Sequence, residues 1–84
     1  MIDRNTQFVE WDLFLCELED AKEHLEGLLR EVKSDPTYDE SSLRVDLGHV
    51  YAHLNRAWWR SAKALDDSDR EPASKFPDDL TPIG

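Results

Sequence analysis

Residues 11–32 read WDLFLCELEDAKEHLEGLLREV, and the spacing of their apolar side chains decides the fold. Trp11, Phe14, Leu18, Ala21, Leu25, Leu28 and Val32 recur at alternating intervals of three and four. That rhythm keeps one seam of a helix turned toward a partner helix. The same rhythm returns through Leu43, Leu47, Val50, Leu54, Ala57, Ser61 and Ala64. The two stretches predict an all-α protein built on an antiparallel two-helix hairpin.

The punctuation agrees with that reading. Asn5 or Thr6 is placed to cap a first helix over about 6–33, with Arg30 and Lys33 in its last turns, where the helix dipole favours cations. Pro36 disfavours helix at Asp35, so Ser34–Tyr38 reads as the turn. Asp39 or Ser41 is placed to cap a second helix over about 39–65, which Asp66-Asp67-Ser68-Asp69 ends. The hairpin thus occupies residues 1–66. Residues 67–84, rich in proline and acid, read as an extended or disordered acidic tail. In that tail Phe76, Leu80 and Ile83 alternate with Pro77 and Pro82, a pattern suited to an extended segment lying over an apolar groove.

Folded about the turn, residues whose numbers sum to about 75 lie opposite. Leu25 then meets Val50, Leu28 meets Leu47, and large side chains on one arm face small ones on the other, as close packing requires. One flank brings Glu17 near Arg60 and His24 near His53. The other flank is apolar: Phe8, Leu15, Leu29, Tyr51, Trp58 and Leu65, with Val9, Cys16, Val45, Ala52 and Trp59 beside them. The start of the first helix is apolar nearly all round, which marks burial on more than one side. A hairpin with only its own seam to bury would be polar there. The surplus predicts a second copy packed on it, giving a four-helix bundle through Phe8, Trp11, Leu15, Leu29, Tyr51, Trp58, Trp59 and Leu65. A different protein docked on the same patch is the alternative partner.

Composition sets further bounds. Eighty-four residues support one domain with a small core, and such scaffolds usually need a disulfide, a metal or self-association. Cys16 is the only cysteine, so an internal disulfide is excluded; its apolar neighbours predict burial. A single thiol and a polar start at Met1–Thr6 fit a cytoplasmic protein, and no apolar run approaches the roughly 20 residues of a membrane span. The net charge is −9. Residues 6–33 contribute eight acids and three bases, and residues 66–84 six acids and two bases. This balance argues against nucleic acid and anionic membranes as partners. It leaves one sharper alternative, an acidic mimic of nucleic acid that occupies a nucleic-acid-binding protein.

Chemistry has little to stand on. His49 and His53 share a helix face at a metal-compatible spacing, with Asp46 and His24 nearby, yet position 50 holds Val rather than the Glu of a zincin. No Glu-x-x-His precedes any histidine. Glu17-x-x-Asp20 and Glu23-x-x-Glu26 resemble magnesium-holding pairs, but helix 2 offers only Asp46 to meet them. Neither a nucleophile beside a base nor a glycine-rich phosphate loop is present. The sequence therefore predicts a non-enzymatic, cofactor-free, self-associating helical protein that acts by binding protein. A metal-dependent enzyme inside the bundle is the most distant alternative.

Overall fold

The computed structural model describes residues 1–84 and contains three helices and no strand. α1 spans Phe8–Ser34, α2 spans Glu40–Arg60, and α3 is a single turn, Arg70–Ala73. α1 and α2 pack antiparallel as a hairpin, and α3 packs on α2 alone. No helix is long and apolar enough to cross a membrane.

α1 begins two residues later than its capping pattern predicts. The backbone N–H of Gln7 donates to the Asp3 carbonyl at 2.7 Å, and the Asp3 N–H donates to the Gln7 side chain at 3.1 Å. This closed turn holds Asn5 and Thr6 out of the helix, so neither caps it. At the hairpin turn the Asp35 carboxylate accepts from the Thr37 N–H and hydroxyl at 2.9 and 2.6 Å. Asp39 then caps α2 by accepting from the Ser42 N–H at 2.9 Å.

α2 stops at Arg60 rather than near Leu65. The cause lies at the other end of the chain. The Ile2 N–H donates to the Ser61 carbonyl at 2.7 Å, taking the acceptor that another helical turn would need. Ile2 is buried there. Lys63 pairs with Asp69 at 3.2 Å, and Asp66 accepts from the Ser68 hydroxyl and N–H, so the chain reverses and runs back along α2. The acid-rich C-terminal segment is therefore not wholly extended. One turn of it is helical, and Ala73 is completely buried.

The hairpin seam is rotated from the one that apolar periodicity alone predicts. Ala21, Leu28, Val50 and Ala57 are buried as expected, but Leu18, Leu25, Val32 and Leu54 are exposed, with Leu25 and Val32 each at 50%. The row of α1 that faces α2 is Phe14, Glu17, Ala21, His24 and Leu28. It meets Val50, His53, Ala57 and Arg60. Ala21 and Ala57 allow close approach, and polar side chains occupy positions between the apolar ones. Cys16 is turned outward and exposed, contrary to the burial its neighbours predict.

Gly48 lies inside α2 with open space where a Cβ would stand. Gly48→Ala is expected to stabilise the fold by about 1 kcal/mol through helix propensity. A urea midpoint raised without a change in slope would check this.

Candidate functional site

Two constellations stand out, one polar and one apolar. The polar one centres on Glu17, whose side chain is only 12% exposed. His53 Nδ1 lies 2.8 Å from Glu17 Oε2, Arg56 Nε is 3.2 Å from both carboxylate oxygens, and Arg60 Nε is 3.3 Å from Oε1. Because the carboxylate can only accept, the His53 proton sits on Nδ1, and the 3.1 Å approach of Arg56 Nη2 to that nitrogen is a contact between two donors. Arg56 also reaches the C-terminal segment, donating from Nη1 to Ser74 Oγ at 2.8 Å. Asn55 donates to the Ser74 carbonyl at 3.1 Å and is itself buried.

Burial alone would push the Glu17 carboxyl up. The His53 hydrogen bond, the Arg56 charge and the Arg56 hydrogen bond outweigh it and hold the group below the usual glutamate value. A carboxylate saturated by three donors is a structural anchor and makes a poor general base.

The histidines do come together, as their spacing predicts. His24 stacks on His53 with ring centroids 5.0 Å apart and lies 5.4 Å from His49. The His24 and His53 rings are only 23° from parallel, so they offer faces to each other rather than aiming nitrogens at one point. Asp46 is taken up by the Tyr38 hydroxyl at 2.6 Å; burial, that bond and neighbouring acids push the Tyr38 pKa up to about 12. No three His, Cys, Asp or Glu side chains converge in a metal-ligating arrangement.

The apolar constellation is the row that the rotated seam leaves outside. On α1 it comprises Phe8, Trp11, Leu15, Leu18, Leu25, Leu29 and Val32, and on α2 Leu47, Tyr51, Leu54 and Trp58. Of these only Trp11 and Leu47 are half-buried; the rest are exposed, Phe8 reaching 65%. Of the eight interface residues expected from sequence, six lie along this face. The other two do not. Trp59 sits half-buried with the Lys63 ammonium 6.0 Å from its ring, and Leu65 lies past the end of α2 beside Asp66, Asp67 and Arg70.

The C-terminal segment edges the α2 side of this face. Phe76 packs edge-on to Tyr51 at 5.0 Å, and Trp58 Nε1 donates to Asp79 Oδ1 at 3.0 Å. Tyr51, Leu54, Phe76, Pro77, Leu80 and Pro82 line a shallow apolar groove. The alternation of apolar residues with Pro77 and Pro82 signalled the contact for Phe76 and Leu80, whereas Ile83, expected with them, is fully exposed. The antiparallel register places Arg56 near the acids of α1, whereas the roles of Ser74 and Ala73 had no such signal.

Searched against family models, curated proteins and solved structures, the chain matches none of them. The geometry alone therefore carries the reading.

Glu17 supplies a pH test. Its pKa is depressed in the folded state, so the unfolded chain takes up its proton more readily. Its contribution is present above the ordinary glutamate value of 4.5 and is lost as pH falls through the lower folded value. Glu17→Gln is expected to cost about 2–3 kcal/mol near pH 7, leaving two guanidinium groups without their carboxylate. It should also flatten the decline of stability below about pH 4.5. Urea unfolding of both proteins across that range measures the effect.

Proposed function

We propose that this protein is a non-catalytic helical module that associates with itself and acts through protein–protein contacts, the open face of the hairpin being its working surface. The observation that carries this reading is the amount of surface one chain leaves open, with many large apolar side chains on it. The accessible surface is 6511 Å². A compact monomer of 9.8 kDa exposes about 5,200 Å². The difference, roughly 1,300 Å², exceeds the ~800 Å² that each partner contributes to a standard interface. The radius of gyration, 14.6 Å, also exceeds the ~12 Å of a compact chain of this length. No large side chain is fully buried. A chain of this kind gains its missing core from association.

The polar constellation supports a non-enzymatic role. Glu17 is saturated, Asp46 is bonded, and His24 and His53 stack face to face. The reading as an acidic nucleic acid mimic gains less. Where the acids of α1 and the C-terminal segment meet, Asp20, Asp66 and Asp67 are interleaved with Arg56, Arg60 and Arg70. That is a mixed rim rather than one acidic stripe.

At micromolar concentration, sedimentation equilibrium is expected to give twice the 9.8 kDa chain mass. Leu25→Glu should weaken association by about 3 kcal/mol, over a hundredfold, while helical circular dichroism is retained. A 9.8 kDa species for the parent protein at that concentration overturns the reading.

A further inference from the structure

The outer row of α1 is a second complete helical seam. Its positions 8, 11, 15, 18, 22, 25, 29 and 32 alternate by three and four without a break. Seven are apolar, and the exception, Lys22, falls near the middle. A row of this rhythm reads identically in both directions. Turning a second copy end over end, about a point level with Asp20, lays the row upon itself. Phe8 then stands level with Val32 of the other copy, Trp11 with Leu29, Leu15 with Leu25, and Leu18 with Lys22.

From this self-complementarity we infer that two copies pair α1 against α1 in antiparallel orientation, with Lys22 setting the register. The inference rests on the self-association proposed above and adds its geometry. Three observations choose this arrangement. First, α2 is the helix already occupied: the Ile2 N–H closes on its end, and Ser74, Phe76 and Asp79 lie along its outer side. α3 makes no contact with α1, and the C-terminal residues that come beside α1 border Glu17 and Asp20 rather than the apolar row. Second, Lys22 is the only lysine or arginine between Arg4 and Arg30. Its side chain is 75% exposed, with a 3.8 Å contact to Glu26. In the antiparallel pair it reaches the level of Leu18 and Glu19 of the other copy, so each Lys22 meets a carboxylate across the axis. One lysine in an otherwise apolar seam weakens association but selects one register. Third, the twofold pairing uses the same patch on both copies, which closes the assembly at two.

The test uses full-length chains carrying Cys16→Ser, which removes an exposed thiol. One chain also carries Leu15→Cys and the other Leu25→Cys, both at exposed positions. They are mixed in equal amounts in a glutathione redox buffer. The heterodisulfide between positions 15 and 25 is expected to be the only covalent dimer. In this geometry two copies of position 15 stand about 15 Å apart along the axis, beyond the roughly 7 Å limit for a disulfide. Predominant homodisulfides would mean a parallel pair and overturn the inference. A noncovalent dimer by sedimentation with no cross-link would place association on another face; the orientation falls while self-association stands. A monomer by sedimentation removes both.

Discussion

The carboxylate of Glu17 sets the rotation of one helix against the other. It draws donors from three successive turns of α2, His53, Arg56 and Arg60, onto a single point of α1. A side chain that is nearly buried and charged is tolerated only where its partners are in place. Placing it on the seam therefore commits His24, Ala21 and Leu28 to face α2. It equally commits Leu18 and Leu25, one residue further round, to face away. Arg56 extends the arrangement by holding Ser74, so the return path of the C-terminal segment depends on the same group.

The cost of that choice is a thin core. Most of the seven buried residues are small or mid-sized: three alanines, one valine, one asparagine, one isoleucine and one leucine. Burial of apolar area is the main favourable term in folding, at about 25 cal/mol per Å², and a core of this size supplies little. The polar seam sharpens register without adding much stability, since each ionic contact is offset by desolvation. A chain organised in this way has its larger leucines in reserve on the outside. Their exposure follows from the same rotation that satisfies Glu17, so the polar anchor and the open apolar face are two aspects of one arrangement.

Much of this was legible in the sequence, and what was not has identifiable causes. The hairpin, its turn and the approach of Glu17 to Arg60 and His24 to His53 follow from periodicity and from the antiparallel register. The seam itself was misplaced by about one residue because apolar periodicity counts Leu18 and Leu25 as better core residues than Glu17 and His24. That count ignores the hydrogen-bonded charge cluster that decides between two neighbouring rows. Cys16 was expected inside for the same reason. The early end of α2 depends on Ile2 bonding the Ser61 carbonyl, a contact between residues 59 positions apart that no local pattern announces. The turn Arg70–Ala73 is short and proline-containing, and it gains its place from Ala73 fitting against α2 rather than from propensity.

The two long helices therefore have unequal roles despite similar apolar content. α2 is the interior element of the single chain: α1 lies on one side, the N-terminal residues close on its end, and the C-terminal segment lies along another side. Two of its three basic residues, Arg56 and Arg60, are spent on Glu17, and just past its end Lys63 pairs with Asp69. The large apolar side chains that α2 still leaves open are Val45, Tyr51, Leu54 and Trp58, with the C-terminal segment beside Tyr51 and Trp58. α1 keeps an apolar row over nearly its whole length of 27 residues, and its one central lysine is held only by an exposed glutamate. Surface pairs of that kind contribute about 0–1 kcal/mol and exchange partners readily. The least committed surface of the molecule is thus also its most apolar and its most regular.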